Sequence, residues 1–248
     1  MPLLARTISL SLMHVMCKNI YQNPKGHEDT LLSLCCIDKT MSGWNLERVA
    51  SICRERCGGQ GFLANNKFGD YLSIAHAGLT AEGDNRVLMV KICKDMITNV
   101  TKKGHKLPQM TNCPFRTIAK LGNIVDLNIM LDLLKFRETM LFQKLVEDTK
   151  TLTKKVGGYQ VLMRETSDVM QNLAMTYGER NTLEYCISQL KSLKSEANKK
   201  IMEKVFLLFA AEVINRDLSF YMLDGVVSKE AASQLTTERH KLIKDVAA

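Results

Sequence analysis

After position 114 the chain runs to its end, residue 248, without another proline; Pro2, Pro24, Pro108 and Pro114 are the only ones. Proline breaks an interior helix by removing a donor and clashing with the preceding turn. A half that lacks it, and whose apolar residues recur in steps of three and four, is constrained to long helices. Ile124, Leu127, Leu131, Leu134, Leu141 and Leu145 form such a stripe, widened by Met130, Phe136 and Phe142 and interrupted by Glu138. Fourteen Met and few aromatics fit an all-helical core with adaptable packing.

Residues 3–21 predict a helix, and Asn23-Pro24-Lys25-Gly26 a turn. Residues 28–41 predict a second helix, which Ser42-Gly43 interrupts before a third that runs from Asn45 to Cys57. Gly58-Gly59 terminates that helix. Residues 62–79 are partly helical, and a helix follows from Val87 to Val100. The polar, basic stretch 101–115 holds two of the four prolines and reads as a linker, which divides the chain into 1–100 and 116–248. Gly157-Gly158 separates the long stripe from a helix over 160–177. Further helices are expected over 182–197, from Ile201 towards Gly225, and from a Ser228 cap through Leu242. The fold class expected is all-α: an up-and-down helical bundle followed by a second helical bundle domain.

Composition narrows the function classes. Hydrophobic content of 46% and charged content of 24% are ordinary for a globular protein. The net charge of +8 has no Lys/Arg block interleaved with aromatics, so it reads as solvated helix faces rather than a nucleic-acid surface. The 8 Cys are scattered without zinc-ligand spacing and read as free thiols; no metal is expected. The run Leu3–Met16 is interrupted by polar residues and reads as an amphipathic first helix rather than a signal peptide. No apolar stretch approaches the ~20 residues of a membrane span.

Two glycine-bearing turns stand out. Cys53-Arg-Glu-Arg-Cys-Gly-Gly-Gln-Gly-Phe62 places Gly58, Gly59 and Gly61 after a helix, so it is not a P-loop, whose glycines precede one. Ala81-Glu-Gly-Asp-Asn85 then sets Glu82 before a helix that Asp84 or Asn85 can cap. Glu82 is expected beside Ala75, Ala77, Leu79, Leu88 and Met89. A carboxylate in apolar surroundings is a candidate general base near neutral pH. On the residues alone, a plain helix–turn–helix connection is the better account of the glycines.

These two motifs, in this order and at this separation, resemble the C-terminal half of acyl-CoA oxidases, and the likeness extends loosely over nearly the whole chain. The resemblance implies the acyl-CoA dehydrogenase type of C-terminal bundle. It implies Glu82 as the base that removes the α-proton of a fatty acyl-CoA, with Gly83 keeping backbone clear of the acyl channel. Gly58, Gly59 and Gly61 would pack against the diphosphate of FAD, with Asp84 and Asn85 close to flavin or substrate. Arg54 and Arg56 would either face the diphosphate or merely end a helix in solvent. The product would be a trans-2-enoyl-CoA, with oxygen reduced to hydrogen peroxide, in peroxisomes. A homodimer or a complementing N-terminal half is implied as partner. The chain ends Asp-Val-Ala-Ala, not in the targeting tripeptide many relatives carry.

The family has an N-terminal helical domain and a β-domain that carry most flavin contacts. The chain therefore reads as a piece: a short gene product, a split subunit or a degenerate copy, unable alone to hold FAD productively. Two other readings stay open. An acyl-CoA dehydrogenase shares both turns but generally lacks so long an appended bundle, and a non-catalytic helical interaction protein would need neither.

Overall fold

A computed structural model describes residues 1–111 and 124–247, and they hold helices and no strand. In order these are α1 (Pro2–Gln22), α2 (Leu31–Arg56), α3 (Phe68–Thr80), α4 (Asn85–Lys102), α5 (Leu127–Val156), the single turn α6 (Gly158–Gln160), α7 (Ser167–Leu190), α8 (Glu196–Arg216), α9 (Leu218–Leu223) and α10 (Lys229–Ala247). Short 3₁₀ turns, Gly58–Phe62 and Ala64–Asn66, join α2 to α3. The all-α bundle expected from the sequence is the fold observed.

Local chemistry sets several ends. Asp126 accepts hydrogen bonds from the amides of Asn128 and Ile129 and so opens α5. Ser195 caps α8 through the amide of Asn198, and the Ser228 hydroxyl accepts from Ala231 at the start of α10. Gly157, at φ 81°, ends α5 where the glycine pair was expected to break it.

Two boundaries differ from expectation. Ser42-Gly43 does not break a helix: α2 runs through it from Leu31 to Arg56. Nor does a helix end near Tyr177; α7 continues through Gly178 to Leu190, and the break falls at 191–195. Gly178 is required by close packing, whereas Gly43 sits in ordinary contact with its neighbours. A Cβ at Gly43 would lie 3.5 Å from Asn85 Nδ2 and 3.6 Å from the Gly78 carbonyl. A Cβ at Gly178 would lie 2.4 Å from Ile37 Cγ1 and from Met41 Sδ. Helix propensity argues against glycine, and at Gly178 the helix–helix approach overrides it. The helix expected from Ile201 towards Gly225 also stops at Arg216, with α9 following as a separate turn.

α1 and α2 are antiparallel, for Thr7 meets Asn45 and Cys17 meets the Leu34 carbonyl. α2 and α4 are antiparallel as well, Lys39 meeting Asn85 and Ser33 meeting Asp95. Two apolar cores result. One gathers Leu10, Met13, Ile37, Met41, Met89 and Ile92 with Phe142, Leu145, Met170 and Leu173. The other gathers Met130, Leu133, Leu134 and Leu183 with Phe206, Phe209, Tyr221 and Leu235, and takes in Ala5. α5 and α7 run through both, so each core draws residues from both sides of the stretch expected as a linker. Within that stretch the described residues 103–111 form neither helix nor strand and are fastened to α5: the Pro108 carbonyl accepts from Thr139, and the Thr111 amide donates to Asp132. The rest of it, 112–115, lies outside the described residues.

Candidate functional site

The turn between α3 and α4 is built by backbone conformation and one lysine. Glu82 adopts φ 59° and Gly83 φ 104°, two successive left-handed residues that reverse the chain sharply. A non-glycine residue in that region is uncommon and strained by roughly 1–3 kcal/mol, so its surroundings must hold it there. Gly83 has no alternative, because besides its φ a Cβ would sit 3.1 Å from Leu88 Cδ2. Asp84 then caps α4, its carboxylate accepting from the amides of Arg86 and Val87 at 2.9 and 3.2 Å.

What fixes the turn to the bundle is Lys39 of α2. Its ammonium donates to the Gly83 carbonyl at 2.6 Å and to Asn85 Oδ1 at 2.8 Å. Asn85 is buried and its Nδ2 donates to the Thr40 carbonyl at 3.4 Å. Sequence reasoning passed over Lys39: it lies on the side of α2 opposite Leu34, Ile37 and Met41, so no apolar periodicity marked it in the sequence. Nearby, Arg86 stacks over Trp44 with its guanidinium 5.0 Å from the ring centre, and exchanges hydrogen bonds with Gln171.

Glu82 itself is exposed. The apolar niche expected around it is not formed by this chain: Ala75 and Met89 are buried in the bundle, Leu79 and Leu88 are half-buried, and Ala77 is exposed. Gly83 and Asp84 are exposed beside it, and Asn85 faces inward.

The glycine loop is shaped differently at each position. Gly58, at φ 57°, ends α2 in the left-handed conformation that glycine adopts freely. Gly61 is buried against α2, where a Cβ would fall 2.2 Å from the Arg54 carbonyl oxygen. Gly58 and Gly59 have nothing within 4 Å of a Cβ position, so their backbone is bare and open. Arg56 is exposed beside them and Arg54 half-buried. Gly58, Gly59 and Arg56 fit one wall of a site for a phosphorylated cofactor and supply no enclosing wall.

The two turns are not brought together. α3 folds back along α2, which sets the Glu82 turn level with Lys39 and the glycine loop at the far end of that helix. Lys39 and Arg56 are separated by about 25 Å along the axis at ~1.5 Å per residue. Between them lies an apolar surface: α3 fully buries only Ala75 and leaves Tyr71 and Ile74 exposed, and Phe62 is 84% exposed. Among the described residues no group of three His, Cys, Asp or Glu is placed to hold a metal, and no helix is long and apolar enough to cross a membrane.

Comparison with known proteins bears on the family and the fold. The model of the acyl-CoA oxidase C-alpha1 domain matches residues 1–97, and that of acyl-CoA oxidase matches residues 126–247. Peroxisomal acyl-coenzyme A oxidase 2 of Arabidopsis thaliana is 24% identical over 98% of this chain and 37% of its own length. Acyl-CoA oxidase-1 of Caenorhabditis elegans, solved with FAD and ATP, superposes with a TM-score of 0.83 over 99% of this chain and 40% of its own, at 12% identity. Acyl-CoA oxidase1 of Yarrowia lipolytica superposes with 0.81 over 99% and 40%, at 16% identity. The chain thus spans about two fifths of the relatives it matches. With two models of the same enzymes lying end to end along it, and a fold that follows theirs over nearly every described residue, the chain belongs to the acyl-CoA oxidase family.

Proposed function

We propose that this chain is the helical C-terminal part of an FAD-dependent acyl-CoA oxidase, which desaturates a fatty acyl-CoA to the trans-2-enoyl-CoA in peroxisomal fatty-acid β-oxidation. The observation that carries this is the turn at Glu82: a strained, lysine-clamped reversal that presents a carboxylate away from the core. A surface glutamate with no task has no need of a left-handed backbone held from behind. Glu82 takes the α-proton of the thioester, and Gly83 leaves room for the acyl chain. Lys39, through Gly83 and Asn85, holds the carboxylate in position. FAD, when bound, would supply the acceptor for the β-hydride and pass the electrons to oxygen. Gly58 and Gly59 would meet the diphosphate of an FAD held across a subunit interface, with Gly61 fixing that loop against α2 and Asp84 and Asn85 ordering the start of α4.

A carboxylate open to water is a weak base, so the niche needs walls from elsewhere. The exposed apolar surface of Phe62, Tyr71 and Ile74 suits contact with a flavin-binding part, whether supplied by a longer chain, a complementing subunit or a second copy. The division at 101–115 is kept in this reading, the first part carrying the site and the second bracing it. The test is peroxide production from acyl-CoA by this chain assembled with the flavin-binding part. Glu82→Gln should lower turnover by about two to four orders of magnitude with flavin absorbance unchanged. Turnover retained in that variant would overturn the role.

A second reading, a non-catalytic helical interaction protein, is favoured by the same exposed face of α3. It predicts tight association with a partner chain and no peroxide from any assembly.

A further inference from the structure

A cleft of about 80 Å³ opens where the first turn of α1, the middle of α2 and the last turns of α8 meet, lined by Arg6, Arg48 and Arg216. Behind it lies Glu179, completely buried. Arg216 grips both oxygens of Glu179, at 2.7 and 2.8 Å, and also reaches Asp217 at 2.5 Å. Arg137 pairs with Asp217 at 2.8 Å. Arg6 reaches only Glu179, through one guanidinium nitrogen at 3.3 Å. Three guanidinium groups thus share two carboxylates. The remaining acid on the cleft wall, Glu212, is engaged by Arg239 at 2.6 Å. Arg48 adds a further positive charge and has no carboxylate partner among the described residues.

The imbalance sits in a costly place. The Arg6 side chain is only 16% exposed, and a cation that far out of water is destabilising unless an anion approaches it. Arg6 commits one guanidinium nitrogen to Glu179 and lines the cleft together with Arg48, and guanidinium forks match the oxygens of a phosphate in pairs. An opening of this size admits one such group and little more.

We propose that this cleft binds a phosphate group, held by Arg6 and Arg48 with Arg216 at its edge. Inorganic phosphate and the terminal phosphate of a small organic monoester share that chemistry. The full chain is titrated calorimetrically with sodium phosphate at low ionic strength, against sodium chloride of equal ionic strength. Saturable one-site binding is expected with phosphate and not with chloride. Arg6 contacts buried Glu179, so its replacement can unsettle the fold; exposed Arg48 decides the matter. Arg48→Gln should weaken phosphate by about tenfold or more, the loss expected for charge-assisted hydrogen bonds, at unchanged Tm in phosphate-free buffer. Absence of saturation, or equal affinity in Arg48→Gln, would overturn the site. With the site established, glycerol 3-phosphate binding more tightly than phosphate supports an organic monoester as occupant, and weaker binding supports the free ion.

Discussion

Gly178 of α7 faces Ile37 of α2 so closely that a Cβ on the glycine would stand 2.4 Å from Ile37 Cγ1. This crossing joins the two halves of the chain, because α2 carries the glycine loop and the Lys39 clamp while α7 threads both cores. Gly178→Ala gains helix propensity worth up to about 1 kcal/mol and forces an overlap worth roughly 1–3 kcal/mol. A net loss of stability is expected, read as a lower urea midpoint at unchanged slope. A variant as stable as the parent would show that the helices can move apart freely.

Lys39 makes a separable prediction. Lys39→Met keeps the aliphatic stem and removes the two hydrogen bonds to Gly83 and Asn85. Global stability should fall by only about 1–3 kcal/mol. Hydrogen exchange over residues 82–87 should quicken much more than exchange in α5 or α7. Uniform acceleration along the chain would mean that the lysine supports the bundle as a whole and not the turn.

The buried acid Glu179 sets a pH dependence. Burial alone pushes its carboxyl up, but Arg216 first, then Arg6 and Arg137, hold it at about 2, below the ordinary 4.5. The folded state therefore binds this proton less readily than the unfolded chain. The stability it contributes is present above pH 4.5 and is lost as pH falls from there towards 2. Glu179→Gln should flatten that stretch of the stability profile. At neutral pH the variant should be less stable by about 1–3 kcal/mol, because the largely covered Arg6 loses its carboxylate while Arg216, exposed, keeps only Asp217. An unchanged acid limb would place the titration elsewhere.

The thiols divide by depth. Cys17, Cys36, Cys93 and Cys186 are buried, and burial pushes Cys17 and Cys186 up to about 12. Cys57 is exposed at the end of α2, with Cys35 and Cys53 half-covered. Reaction with a thiol reagent near pH 8 should show a fast phase that Cys57→Ser lowers by one thiol. The four buried thiols should stay protected until denaturant is added. Fast labelling of Cys93 in the native protein would contradict the packing of α4 on α7.

The absence of proline beyond position 114 and the three-and-four spacing of Leu127, Leu131 and Leu134 fix a helix by local rules, and these were legible in the sequence. So were Asp84 as a cap and Gly58 as a helix end, since capping depends on neighbours a few residues away. Gly43 was misread as a break, and a helix end was placed just before Gly178, because the surroundings of both glycines are set by atoms on other helices. Glu138 looked like an interruption of an apolar stripe; folded, it meets Arg180 at 2.8 Å across 42 positions of sequence and becomes a buried ion pair. The same distance in sequence hid Lys39 behind Gly83. Propensity and capping act within a turn or two of helix, so the order and nature of the rods follow from the residues themselves. Which charge meets which, where glycine serves contact instead of flexibility, and that Glu82 points outward depend on how the rods cross, and only the tertiary structure decides that.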